Sequence, residues 1–294
     1  MTAPGPVTGL VVVDKPAGWT SHDVVARVRR VFGQRRVGHA GTLDPDATGL
    51  LLVGLGRFTR MLRFLTGLDK TYTGEVVLGT ATDTLDASGR VTGEWDMTGV
   101  TVTEARAAAE TLTGPIEQIP PMVSAVKVGG RRLHAMAREG LEVERQPRPV
   151  TVHRFEIGQP SEPGVLPILV TCSSGTYVRT LAADLGERLG GGAHLRNLRR
   201  TAVGSFTEAE ARPLDQLELG QLRTPAEALR DLDAVTADPE TAVAVGHGLP
   251  LDRVPLGATG EGPWALLDAA GRLLAVYEAT DTDRIRPAVV LAAD

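Results

Sequence analysis

Residues 35–60 read RRVGHAGTLDPDATGLLLVGLGRFTR and display one carboxylate, Asp44, in a setting suited to chemistry. Gly38, Gly41 and Gly49 admit backbone angles closed to other residues, and Pro45 fixes its own φ and restricts Asp44 before it, so the segment is a shaped loop. The loop runs into Leu50-Leu51-Leu52-Val53, an apolar run short enough for a buried strand, which sets Asp44 on a rigid rim above a core. A carboxylate there is ionised at neutral pH and can serve as a nucleophile or a general base. Asp-Pro-Asp is also a common way to open a turn with no chemistry attached. A glycoside hydrolase would want a second carboxylate across the scissile bond, and Asp46 lies too near in sequence to fill that part convincingly.

The flanking elements must hold this loop. Gly9 to Val13 is strand-like and ends at Asp14-Lys15-Pro16. Thr20-x-x-Asp23 forms a capping box with Asp in place of Glu, and Val24, Val25, Val28 and Val31 follow at helical spacing until Gly33. That helix and its exit carry Arg27, Arg29, Arg30, Arg35 and Arg36, facing solvent or a ligand. Lys70 to Gly79 alternates, with Tyr72, Gly74, Val76 and Leu78 on one face. Helices are expected over Thr103 to Thr113, Arg131 to Glu139 and Thr176 to Leu189, and strands over Val150 to Ile157 and Ile168 to Ser173. Leu195 to Phe206 is basic and strand-like in its second half. Thr224-Pro225-Ala226-Glu227 is a well-formed capping box that starts a helix through Leu232. From about Gly246, short β runs at Trp264 to Asp268, Leu273 to Glu278 and Ala288 to Leu291 indicate a small β domain.

The 294 residues suit one large core with a small appended domain. Cys172 is the only cysteine, which excludes a disulfide framework and a multi-cysteine zinc site and suits a reducing cytosol. No run approaches the roughly 20 apolar residues of a membrane span, and Met1 to Gly9 lacks the regions of a signal peptide, so a cytoplasmic protein is expected. The net charge of −5 averages two unlike parts. Residues 205–294 carry 7 basic and 16 acidic side chains, the remainder 24 and 20, and residues 22–70 alone carry 9 and 4. Local patches rather than totals attract phosphates, and 28 of the 31 basic residues are arginines, whose forks suit phosphate oxygens. The stretches 27–36, 57–63, 131–138 and 196–200 are therefore the candidate phosphate contacts, with binding that weakens steeply in salt.

Cofactor motifs are missing. Gly54-Leu55-Gly56 begins a dinucleotide fingerprint without its third glycine, no phosphate-binding P-loop or HExxH is present, and six scattered histidines show no metal-ligand spacing. A reaction without metal, nucleotide or redox cofactor fits best.

Five separated motifs, covering about residues 9–206, closely resemble the bacterial tRNA pseudouridine-55 synthase (TruB) family. They are Gly9-Leu10 through Asp14-Lys15-Pro16-x-Gly18-x-Thr20-Ser21-x-Asp23; Val37-Gly38-His39-x-Gly41-Thr42-Leu43-Asp44-Pro45-x-Ala47-Thr48-Gly49-Leu50-Leu51; Lys70-x-Tyr72; Ser174-Gly175-Thr176-Tyr177-x-Arg179; and Gly192-Ala193-His194-x-x-x-Leu198-Arg199-Arg200. The C-terminal β run is loosely similar to the family's RNA-binding PUA domain.

The resemblance implies an isomerisation of uridine 55 in the T loop of tRNA: the bond from nitrogen to ribose breaks, the uracil turns, and a carbon–carbon bond replaces it. The target base has to leave the stack, and a folded RNA loop is recognised through shape, splayed bases and phosphates. Position by position, Asp44 matches the nucleophile and Arg179 the arginine paired with it, whose charge-assisted bond would hold the carboxylate in place and ionised. Tyr72 matches the tyrosine stacking on the flipped uracil, His39 the histidine that occupies the vacated space, and Tyr177 and Leu198 the lining of the base pocket. Taken singly, each of these is as readily a packing or surface residue.

The expected fold is α+β, a mixed and largely antiparallel sheet with flanking helices, with residues 1–240 as the synthase domain and 241–294 as a small PUA-like domain. The expected partner is the tRNA T stem-loop, with no obligate protein partner and a monomeric enzyme. A non-catalytic RNA-binding or tRNA-folding protein on the same scaffold is the alternative, against which intact Asp44, Tyr72 and Arg179 argue.

Overall fold

The computed structural model describes residues 7–124, 126–133, 136, 139–141, 143–160 and 162–291. In chain order it contains β1 (Gly9–Lys15), α1 (Ser21–Val31), β2 (Val37–Ala40), β3 (Thr48–Leu55), α2 (Leu62–Thr66), β4 (Lys70–Leu78), α3 (Val102–Glu110), β5 (Gly114–Gln118), β6 (Arg148–Ile157), β7 (Val165–Cys172), α4 (Val178–Arg188) and β8 (Ala193–Val203). The C-terminal part adds α5 (Pro225–Ala228), β9 (Asp233–Thr236), α6 (Pro239–Gly246), β10 (Leu251–Asp252), β11 (Trp264–Leu267), β12 (Leu273–Ala279) and β13 (Arg284–Val290), besides shorter pieces. This is the expected α+β class, mostly antiparallel, with a small β domain at the end.

The chain divides into two compact units, one of residues 1–45, 50–66 and 204–294, the other of 46–49 and 67–203. In the first, β2 pairs antiparallel with β3, from Val37 opposite Leu55 to Ala40 opposite Leu52. The apolar stripe of α1 explains its placement: Val24, Val25 and Val28 are buried against Val11, Val13, Leu51, Val53, Leu55, Leu214 and Leu217. Thr20 caps α1 reciprocally with Asp23, as the sequence indicates, and the last turn carries Arg29 and Arg30 where the helix dipole favours cations.

The C-terminal sheet of this unit runs β9-β11-β12-β13-β10 and closes over Trp264, Leu266, Ala275, Tyr277 and Ile285. Its buried aromatics satisfy their polar ends: Trp264 Nε1 donates to Thr259 O and Tyr277 Oη to Leu249 O, at 2.5 and 2.8 Å. The helix expected through Leu232 stops at Ala228, and β9 then pairs in parallel with β11.

In the second unit the order is β8-β4-β7-β6-β5, antiparallel throughout. Thr48 and Gly49 add to Arg199 and Arg200 of β8 in parallel. Gly49 is obligatory there: its φ is +100°, and a Cβ would come within 2.3 Å of Arg200 O. Helix α3 starts at Val102, one residue before the expected Thr103, because Thr101 and Glu104 make a capping box. The helix expected over 131–139 falls partly outside the described residues; at its start Arg131 and Arg132 form a short strand opposite Val128 and Lys127, and Leu133 and Met136 are helical.

Candidate active site

Within the first unit, the loop bearing Asp44 is clamped through its main chain. Leu43 N donates to Ser21 Oγ at 3.0 Å, and Ser21 Oγ donates back to Leu43 O at 3.3 Å. Pro45 O accepts from Lys15 Nζ at 2.8 Å and from Gly18 N at 2.9 Å. Ser21 and Lys15 are themselves buried, and Lys15 Nζ also donates to the carbonyls of Pro16 and Trp19. A buried ammonium surrounded by three carbonyls fixes backbone on both sides of the motif, so Asp44, half-buried between Leu43 and Pro45, has little freedom to move. His39 sits on β2 opposite Val53, and its ring meets that of His22 on α1 edge to face, with centroids 5.5 Å apart.

The second unit carries the remaining four expected residues. Tyr72 is buried on β4, directly opposite Val170 of β7 and Arg200 of β8. Leu198 lies in the irregularity of β8 between Arg196 and Arg199, next to Asn197, whose φ is +53°. A bulge of this kind re-aims a side chain relative to its strand. Tyr177 and Arg179 come from the start of α4. The main chain of Tyr177 is gripped by the Gln118 amide, which accepts from Tyr177 N at 2.7 Å and donates to Tyr177 O at 3.1 Å.

Arg179 is 4% exposed. Its guanidinium donates to Thr84 O and Val123 O, both at 2.8 Å, and lies 3.2 Å from the Asp86 carboxylate. That carboxylate also organises its own turn, accepting from Thr84 Oγ1, Ser88 N and Ser88 Oγ. Ala87 N and Leu195 O, with Leu195 N and Leu85 O, strap the turn to β8. Asp86 and Gln118 are absent from the sequence-based site. The available signal for Asp86 was the turn-rich TDTLDASGR; nothing in the local pattern marks Gln118, whose partner is 59 residues away.

The basic stretches are only partly free for phosphates. Arg60 Nη1 donates to Val290 O, Arg63 pairs with Glu278 at 2.6 Å, and Arg36 Nε donates to Thr59 Oγ1. Arg131 pairs with Glu139, Arg196 with Glu75 and Glu162, and Arg200 is 1% exposed. These contacts give Arg60, Arg63 and Arg196 partners within the protein and bury Arg200, whereas Arg30 and Arg35 stay exposed. An open cleft elsewhere in the second unit is lined by Trp95 and Met97 together with Glu94, Asp96 and Glu162, an acidic wall unsuited to RNA. Among the described residues no cluster of His, Cys, Asp and Glu could hold a metal, and no helix is long and apolar enough to cross a membrane.

The family described as TruB family pseudouridylate synthase (N terminal domain) matches residues 29–178, and the tRNA pseudouridylate synthase B C-terminal domain matches residues 179–244. The chain belongs to the TruB family of pseudouridylate synthases. It is therefore an enzyme, an isomerase. Proteins named tRNA pseudouridine synthase B are similar to it: that of Arthrobacter sp. (strain FB24) is 45% identical over 92% of both chains, and that of Symbiobacterium thermophilum is 49% identical over 83% of both. Among solved structures, a Cbf5-Nop10-Gar1 complex contains a chain 26% identical to this one, with a TM-score of 0.73, 97% of this chain covered and 84% of that one.

Proposed function

We propose that this pseudouridylate synthase isomerises uridine 55 in the T loop of tRNA, with Asp44 as the reacting carboxylate. The observation that carries the reading is the clamped loop: Ser21 and Lys15 hold Leu43 and Pro45 on either side of Asp44, so the acid is presented in one geometry. Preorganisation of this sort lets a group act on a substrate without reordering during the reaction. Asp44 assists departure of the base by attacking sugar or base, or by taking a sugar proton. The C1′–N1 bond breaks with its electron pair on uracil, the base turns, C5 bonds to C1′, the C5 proton leaves to solvent, and N1 gains a proton. The product is an isomer of the substrate, and no cofactor is required by that balance.

In this reading Tyr72 stacks on the flipped uracil, Arg179 holds the Asp44 carboxylate in place, His39 fills the space that the base vacates, and Tyr177 and Leu198 line the pocket. Arg27, Arg30 and Arg35 contact the RNA backbone. Residues 1–240 act as the synthase domain and 241–294 as a PUA-like module, in a cytoplasmic monomer that needs no protein partner. The test is to incubate the protein with an unmodified tRNA transcript and map pseudouridine by carbodiimide adducts and primer extension. A single stop at uridine 55 is expected; stops elsewhere, with none at 55, overturn the assignment.

A further inference from the structure

Among the described residues, which include all five Phe, three Tyr and three Trp, the only exposed aromatic side chains are Trp19 and Trp95, at 38 and 44%. Trp95 lies in the acidic cleft of the second unit. Trp19 belongs to the first unit, on the turn between β1 and α1, and its main chain is fastened to the Asp44 loop. Lys15 Nζ donates to Trp19 O at 2.7 Å and to Pro45 O at 2.8 Å, so the two carbonyls share one ammonium, and Gly18 N donates to Pro45 O at 2.9 Å. Trp19 therefore stands on the rim that carries Asp44. Packing does not account for its ring. The residue before a helix N-cap often packs on the fourth helical residue, here Val24. Val24, however, is fully buried in the cluster built from Val11, Val13, Leu51 and Val53, of which Trp19 is no member. A large amphipathic ring left open to water beside the reacting carboxylate has the chemistry of a ligand contact.

We propose that Trp19 is a specificity-determining contact for the RNA substrate: its indole stacks on an unpaired base adjacent to the uridine on which Asp44 acts. The proposal rests on the reading that this uridine leaves the stack. When a base is extracted, its neighbours in the loop lose a stacking partner, and that loss costs free energy. An exposed indole at the rim of the site returns the contact, since every base presents a π face. Stacking of this kind accepts any base that is free to splay out and none that is committed to a pair, so Trp19 favours a loop over a helical stem. Arg30 and Arg35, exposed at the end of α1 and beyond it, attract phosphates without making that distinction. The Lys15 ammonium holds the main chain of Trp19 in place beforehand, so less freedom is lost when the base arrives.

The experiment measures equilibrium binding of T stem-loop RNA, and its single-turnover conversion at saturation, for the wild type, Trp19→Phe, Trp19→Leu and Trp19→Ala. Binding is repeated with two RNAs, each lacking the base on one side of the target uridine. Trp19→Ala and Trp19→Leu should both raise Kd by about tenfold or more, while Trp19→Phe, which keeps a π face, stays within about threefold of the wild type. The loss should fall on binding, with the saturated conversion rate lowered by less than about threefold, because the ring does not touch the reacting atoms. One abasic RNA should bind the wild type about tenfold more weakly than the intact RNA, yet bind Trp19→Leu as well as the intact RNA does, the coupling expected of two groups in contact. Leucine preserves apolar cover over the Lys15 clamp without an aromatic face, so a Trp19→Leu enzyme that binds like the wild type overturns the proposal. So does an abasic penalty that is missing in the wild type or equal in the wild type and Trp19→Leu. Should Trp19→Ala fail to fold, the Leu and Phe variants decide. The two levels separate in the intact RNA. If the wild type forms no pseudouridine at its target uridine, the underlying reading falls; if it does while Trp19→Leu binds normally, only the stacking proposal falls.

Discussion

Two acid-bearing turns, one in each unit, are built on opposite plans. The Asp44 loop is held by groups outside it, Ser21 and Lys15, which bond to the main chain of Leu43 and Pro45. In the Asp86 turn the carboxylate is itself the fastener: it ties Thr84 and Ser88 together and meets Arg179 at 3.2 Å. The first plan holds the main chain on either side of an acid. The second uses an acid to place an arginine. On the proposed reading the first acid reacts and the second positions, and substitutions at the two sites should expose the difference.

The largest effect belongs to Asp44→Asn. It should abolish pseudouridine formation, a loss on the order of a thousandfold or more, while leaving tRNA affinity within a few-fold, since Ser21 and Lys15 still hold the main chain of Leu43 and Pro45. Turnover comparable to the wild type would break the comparison. Asp86→Asn should slow the reaction by about ten- to a hundredfold and also lower thermal stability, because it weakens a charge-assisted contact to a buried guanidinium. Loss of activity without loss of stability would place Asp86 in the chemistry rather than in support of Arg179. Ser21→Ala should cost about 1–3 kcal/mol in denaturant unfolding, leaving Leu43 N without its buried acceptor. A third carboxylate sharpens the contrast. Burial, then Glu187, raises Asp184 to about 6 against an ordinary 3.8. A raised folded-state value means the acid favours folding while protonated and opposes it once ionised, a penalty that grows as pH rises through about 6. Asp184→Asn should therefore stabilise the protein by on the order of 1 kcal/mol at pH 7.5, with the gain disappearing by about pH 4 in thermal melts.

Much of this arrangement is legible in the sequence wherever the signal is local. The Thr20–Asp23 capping box, the alternation of β4 that buries Tyr72, and the positive φ of Gly41 and Gly49 each follow from a few residues, whereas Gly38, expected in the loop, lies within β2. The first two C-terminal β runs are found close to their expected bounds for the same reason, while the third starts at Arg284 rather than Ala288. What the local pattern does not state comes from partners distant in sequence. Arg60 and Arg63 look like phosphate ligands until Val290 and Glu278, more than 200 residues on, take them up. Arg200 belongs to a basic run, but the register of β8 with β4 turns it inward opposite Tyr72. The helix after Pro225 ends early because Asp233 to Thr236 is claimed by parallel pairing with β11, a tertiary preference that overrides the helical signal.

The central claim is that Asp44 serves base isomerisation at one uridine, and tritium release tests it most directly. A tRNA transcript labelled at the fifth carbon of its uracils should release label from position 55 alone as C5 exchanges its hydrogen for C1′. The account predicts stoichiometric release by the wild type, none by Asp44→Asn, and none from a transcript with cytidine at 55. Release by Asp44→Asn at the wild-type level, or from the cytidine transcript, would contradict it.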